Sequence, residues 1–111
     1  ELGLEVLMEL HTADEMDRIV QGVSVVGINN RDLRTFKVDL QHSMQLATML
    51  PAVLPKISES GIGSIDDMLM LRRGGFNGFL IGENFMKHNN PGAACKIFCN
   101  QYSEELKNNK L

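Results

Sequence analysis

Glu9 ends an apolar run in which Val6, Met8 and Leu10 share one parity, while Leu7, Glu9 and His11 share the other. Side chains alternate across a strand, so a polar residue on an apolar face near the strand's C-terminal end marks a site. A carboxylate taken into an apolar interior has its charged form disfavoured unless a cation compensates, which is how a general acid or base is prepared. Glu9 is therefore the first candidate for acid–base chemistry. His11 reads equally well as a rim histidine satisfied by its neighbours and as a functional residue.

The next polar cluster repeats the pattern. In Gly27-Ile28-Asn29-Asn30-Arg31-Asp32-Leu33, alternation sends Gly27, Asn29 and Arg31 to the face of Glu9, and Ile28 and Asn30 to the other. A guanidinium fork suits a bidentate grip on a carboxylate, and an amide both donates and accepts toward an amine or hydroxyl. The bland reading, Arg31 paired to Asp32 or Glu9 for structure alone, is the weaker of the two. Two further runs end in Ser58-Glu59-Ser60-Gly61-Ile62-Gly63-Ser64 and Leu80-Ile81-Gly82-Glu83-Asn84-Phe85. Glycines there admit backbone N–H groups close to an oxyanion, and short helix N-termini behind them add partial positive charge. One such loop often serves only a turn, whereas two at adjacent strand ends resemble the phosphate cradle after strands seven and eight of a βα barrel.

These residues need a parallel sheet to bring them to one rim. Four apolar runs, residues 4–10, 23–28, 53–58 and 75–81, each lead into a segment of helical spacing, which predicts βα units. Thr12 with Glu15 reads as a capping box for a helix reaching Gln21, with Gly22 as its stop. Asp39 caps a second helix, with Leu40, Met44 and Leu46-Ala47 toward the sheet and Pro51 beyond its end. Ser64 with Asp67 starts a third that Gly74-Gly75 closes, and Asn90-Pro91 opens a fourth. From residue 103 to 111 the helix is expected to fray into solvent. The seven methionines fall mostly on apolar faces and read as core filling rather than as an adaptable binding surface.

Composition narrows the partners. With 11 Lys and Arg against 14 Asp and Glu, the net charge of −3 is carried by scattered residues, which argues against a nucleic-acid or anionic-membrane surface. Any phosphate must be held by local geometry. The 111 residues allow one domain, with no linker or low-complexity stretch to divide it. Cys95 and Cys99, four apart with no further Cys or His partner, read as reduced thiols rather than a metal or redox site. No metal is implied, and no apolar run reaches the ~20 residues of a membrane span. A soluble, reducing compartment fits. The chain starts with Glu1 rather than Met and opens almost directly into a strand, so an upstream segment is expected.

Glu9-Leu10-His11, the Gly27–Leu33 stretch with Thr35-Phe36-Lys37-Val38-Asp39 after it, Ser58-Glu59-Ser60-Gly61-Ile62 and Phe79-Leu80-Ile81-Gly82-Glu83 resemble indole-3-glycerol-phosphate synthase in order and spacing. The likeness runs from Leu2 to Phe98. It implies an α/β fold, half of a (β/α)8 TIM barrel, with four parallel βα units corresponding to strands five to eight. It also implies a carboxy-lyase of tryptophan biosynthesis. Such an enzyme closes the indole ring of 1-(2-carboxyphenylamino)-1-deoxyribulose 5-phosphate with loss of carbon dioxide and water, without a cofactor, in the cytoplasm or, in a plant, the plastid. By resemblance, Glu9, Asn29 and Glu59 form the catalytic set, with Glu9 in proton transfer. Arg31 with Asn29 meets the substrate carboxylate and neighbouring hydroxyls. Ser60, Gly61, Gly82 and Glu83 form the phosphate seat, Glu83 through its backbone N–H because its carboxylate would repel the ligand.

The chain departs from the family pattern at Asn84, where a serine is common, and at Pro55, which is expected to mark the first residue of the third strand. The family's catalytic lysines, on the first and third strands, precede the part matched here. The chain alone is therefore expected to be inactive. Its open sheet is expected to need the missing half-barrel or self-association through its edges. Phosphoribosylanthranilate isomerase and the tryptophan synthase α subunit have similar cradles but do not fit the Asn29-Asn30-Arg31 motif. A non-catalytic phosphate-binding or assembly half-barrel is the alternative of another class.

Overall fold

The computed structural model describes residues 5–18 and 23–110. Four strands, β1 (Leu7–Leu10), β2 (Val25–Asn29), β3 (Lys56–Glu59) and β4 (Gly78–Leu80), form one sheet in the order of the sequence. Every pairing is parallel, with Glu9 opposite Gly27, Asn29 opposite Glu59 and Glu59 opposite Leu80. Because neighbouring strands run the same way, each connection must cross over, and helices do so. After β2 comes α1 (Leu40–Thr48), after β3 α2 (Ile65–Arg73), and after β4 the single turn α3 (Glu83–Met86) and the long α4 (Pro91–Asn108). The α/β class and the parallel order agree with the expectation of a partial βα barrel.

Among the described residues the core lies on one face of the sheet only. Leu10, Val26 and Ile28 are fully enclosed against Leu46 of α1, Leu71 of α2 and Phe76 before β4. Each such side chain contributes on the order of 2 kcal/mol through removal from water. Leu7 and Leu80 belong to the opposite face and stay 45% and 50% exposed, since no layer covers that side among the described residues.

Three helices start where their caps predict. The carboxylate of Asp39 accepts from His42 N–H, the Ser64 hydroxyl from Asp67 N–H and the Asn90 side chain from Ala93 N–H. Pro91 fills the first turn of α4, where its missing N–H costs nothing. α4 continues through Asn108, with Phe98 stacked edge-on to Phe85 and Tyr102 to Phe79.

The boundaries differ elsewhere. Pro55 precedes β3 instead of opening it, and its carbonyl accepts from Val26 N–H at 3.0 Å, so the ladder uses the group that proline keeps. Val53, expected inside that strand, stands 92% exposed in a turn. Residues 75–77 likewise precede β4, with Phe76 plugged into the core instead of paired. The capping box is half made: Glu15 Oε1 accepts from the N–H groups of His11 and Thr12 at 2.9 and 3.0 Å, while the Thr12 hydroxyl turns to that carboxylate. The helix that this cap opens, Ala13–Arg18, is a 3-10 helix and not an α-helix. The expected continuation to Gln21 and the Gly22 stop lie outside the described residues. Of the methionines, Met68 is in the core and Met8, Met16 and Met44 pack against it, whereas Met49 and Met86 are exposed.

Candidate functional site

The open face gathers the predicted polar residues at the C-terminal ends of the strands. Glu9 is the hub of the first group: its Oε1 accepts from Asn29 Nδ2 at 3.2 Å and lies 3.0 Å from His11 Nε2. The Asn29 amide is oriented from both ends, because its Oδ1 accepts Arg31 N–H at 2.9 Å. His11 Nδ1 is enclosed and has no partner among the described residues.

Glu9 is not the buried acid. Its side chain is 46% exposed, because the face it occupies has no covering layer in the described structure. The enclosed carboxylate is Glu59, 8% exposed, whose strand position opposite Asn29 folds it over Gly27. A β-carbon at Gly27 would collide with Glu59 Oε1 and stand 3.0 Å from its Cδ, so the glycine is the gap in which the acid lies. Burial pushes the Glu59 carboxyl above the ordinary glutamate range. The negative charge of Glu9 and a hydrogen bond shared with it push the same way, and His11 partly opposes them. Two acids whose environments differ in this manner are suited to separate proton-holding and proton-accepting tasks.

Glu59 also lines a cavity of about 630 Å³ whose rim carries Arg31, Ser60, Gly61, Gly82 and Glu83. The glycine-lined loops thus face one another across one space, as their positions at adjacent strand ends imply. Ser60 and Gly61 both adopt positive φ, 73° and 69°, and at Gly61 a side chain would run into Val38 at 2.6 Å. A non-glycine residue at positive φ is a sparsely populated conformation that its surroundings must hold. Asn30 does so: buried on the core side, its Nδ2 donates to Ser58 Oγ and to the Ser60 carbonyl, each at 2.8 Å.

Arg31 pairs with neither Asp32 nor Glu9. Its Nη2 reaches Glu83 Oε2 at 3.3 Å across the cavity mouth, and its Nε is enclosed without an acceptor among the described residues. Asp32 instead organises the following loop by accepting from the N–H groups of Arg34 and Thr35, which lowers its carboxyl below the usual range. The anticipated help from helix N-termini behind both loops is limited on the β4 side, because α3 is one turn and carries little dipole.

Sequence reasoning missed three contributors. Lys87 lines the cavity four residues after Glu83, a spacing that was visible as one helical turn. Gly27 was assigned to the correct face without its purpose. Asn30 was sent to the core side without the loop it clamps. Asn84, the departure from the usual serine, also lines the cavity. Cys95 and Cys99 are free thiols with sulfurs 4.0 Å apart on α4, and neither lines this cavity. No group of three metal-ligating side chains occurs among the described residues, and no helix there is long and apolar enough to cross a membrane.

The model of the family described as indole-3-glycerol phosphate synthase matches residues 1–98. A protein of that name from Bacteroides thetaiotaomicron is 48% identical over 98 residues, covering 88% of this chain and 38% of the relative. Its namesake in Salinibacter ruber is 42% identical, covering 85% of this chain and 35% of the relative, and that in Laribacter hongkongensis is 46% identical, covering 85% and 36%. The chain therefore spans little more than a third of the length of these relatives. A match over nearly the whole chain, with the motifs gathered on one rim of a parallel sheet, places this protein in the indole-3-glycerol phosphate synthase family.

Proposed function

We propose that the chain supplies the C-terminal half of an active site that closes the indole ring of 1-(2-carboxyphenylamino)-1-deoxyribulose 5-phosphate, releasing carbon dioxide and water. The observation that carries the reading is the convergence of Glu9, Asn29, Arg31 and Glu59 with two glycine-lined loops at one end of four parallel strands. The substrate needs three kinds of recognition, and each has a counterpart. Arg31, helped by Asn29, receives the ring carboxylate that is lost. Backbone around Ser60, Gly61, Gly82 and Glu83 receives the phosphate. Between them, ring closure and dehydration require a proton to be delivered to and taken from oxygen, a task for Glu9 and Glu59.

Their division of labour follows from their surroundings. Glu59, with its carboxyl raised by burial, holds a proton more readily and is the better donor. Glu9, kept in place by Asn29 and His11, is left to take the acceptor's part. The reading includes a cytoplasmic location, in keeping with two free thiols, which persist in reducing compartments. The lysines that the family uses come from its earlier strands, so the chain by itself is expected to be inactive.

The test is complementation. The chain is mixed with a separately produced segment of a relative carrying the first four βα units, and indole-3-glycerol phosphate formation is followed by indole fluorescence. Activity should appear in the mixture alone and fall by about 10²-fold or more with Glu59→Gln, the scale of a lost general acid. Turnover by the chain alone would refute the shared-site reading, as would a well-associated mixture that forms no product.

A further inference from the structure

We infer that Glu83 is a displaceable internal anion, which holds the Arg31 guanidinium until a carboxylate ligand takes its place and so sets the selectivity of the mouth. The inference rests on the reading that Arg31 receives a substrate carboxylate.

The geometry of the pair is that of a placeholder. Nε–H and Nη2–H of a guanidinium point the same way and form a fork that one carboxylate fills with two parallel hydrogen bonds. Glu83 reaches only Nη2, at 3.3 Å, longer than a well-made charge-assisted bond of roughly 2.7–2.9 Å. The neighbouring Nε is enclosed without an acceptor among the described residues, so half of the fork is unused there at the cost of an unserved donor. Glu83 itself is 79% exposed, and a pair of that exposure is weak. A free carboxylate in the cavity has no tether to the opposite rim and, once Glu83 has left and the guanidinium turns its enclosed Nε toward the cavity, is able to engage both nitrogens. It wins by one additional charged hydrogen bond.

The displaced carboxylate has somewhere to go. Lys87 lies four residues beyond Glu83 and lines the same cavity, so the released side chain has a second cation within one turn. Paired with Lys87, the Glu83 charge is offset by a cation at the same cavity instead of standing alone beside the phosphate loops. Selectivity arises from the same competition. A planar, bidentate carboxylate gains by displacing Glu83, whereas a ligand with a single acceptor only exchanges one bond for another.

A double-mutant cycle with 2-aminobenzoate as the probe, titrated by its fluorescence against the chain, tests this. Glu83→Gln should tighten binding about three- to fivefold by removing the competitor, the scale of a weak exposed ion pair. Arg31→Met should weaken it about tenfold or more. In the Arg31→Met background the Glu83→Gln gain should vanish, with circular dichroism confirming that all variants fold. A gain that persists without Arg31 would mean that Glu83 merely repels anions, and the inference would fall. So would an unchanged or weaker affinity for Glu83→Gln while Arg31→Met still weakens binding. Equal affinity of Arg31→Met and the parent chain, including no binding by either, would remove the carboxylate seat itself and with it the reading beneath.

Discussion

Glu59 and Gly27 act as one unit, since the acid is enclosed only because the residue beneath it has no side chain. Gly27→Ala should cost about 1–3 kcal/mol from overpacking, or else swing the carboxylate into solvent. In the second case a carbon-detected NMR titration should find the Glu59 carboxyl returned toward its ordinary range; a signal unchanged from the parent, with unchanged stability, would contradict the packing described. The raised carboxyl also fixes a pH dependence. Below the ordinary glutamate range both folded and unfolded states hold the proton, and the stabilising contribution is fully present. As pH rises, the unfolded state releases its proton first, so stability falls until the folded carboxyl has ionised as well. Glu59→Gln removes this decline. Its urea midpoint should exceed that of the parent at neutral pH and approach it in acid; a gain of equal size at both pH values would point to a cause other than titration.

Asn30 shows why an element's end matters more than its middle. It joins the end of β2 to the end of β3, donating at 2.8 Å to the Ser58 hydroxyl and at 2.8 Å to the carbonyl of Ser60, whose backbone is at positive φ. Asn30→Ala leaves Ser58 Oγ and the Ser60 carbonyl without that donor, and should cost about 2–3 kcal/mol while loosening the cavity rim. Ser64→Ala removes only a cap bond and should cost about 1 kcal/mol. Urea denaturation of the two variants checks the order. Caps such as Ser64 and Asn90 were legible in the sequence because their chemistry is local: a short polar side chain meets an N–H two or three residues on. The strand starts were not, because Val53 and Phe76 carry the composition of strand residues, and only pairing of β3 with β2 and of β4 with β3, together with burial in the core, decides which apolar residues join the ladder. The 3-10 helix after β1 belongs to the same class. Thr12 and Glu15 announce a helix start but do not determine which kind of turn comes next.

At the scale of the whole molecule, alternation puts Glu9, Gly27 and Asn29 on one face, as the strand register does, but which face is covered is not a property of any one strand. Glu9 was expected to be the buried acid on the assumption of a closed interior; with one face of the sheet open, burial passes to Glu59, which lies deeper over Gly27. The same openness has a consequence for solution behaviour. Among the described residues β1 and β4 lie at the sheet margins, and Leu7 and Leu80 on the open face are about half exposed. Unpaired backbone beside exposed apolar side chains is a template for further pairing, which natural sheets blunt with charge, proline or a covering layer. Glu9, Asn29 and Glu59 supply some polarity on this face, but they belong to the site and leave Leu7 and Leu80 uncovered. The chain is therefore predicted to associate through this face, giving a sedimentation coefficient that rises with concentration. Leu7→Lys with Leu80→Lys should lower the association constant by about tenfold or more, since each places a charge where apolar contact is needed. Addition of the complementary half-barrel segment should replace self-association by a one-to-one complex. A monomer at every concentration, with the complementary segment unable to bind, would show that the open face needs no partner.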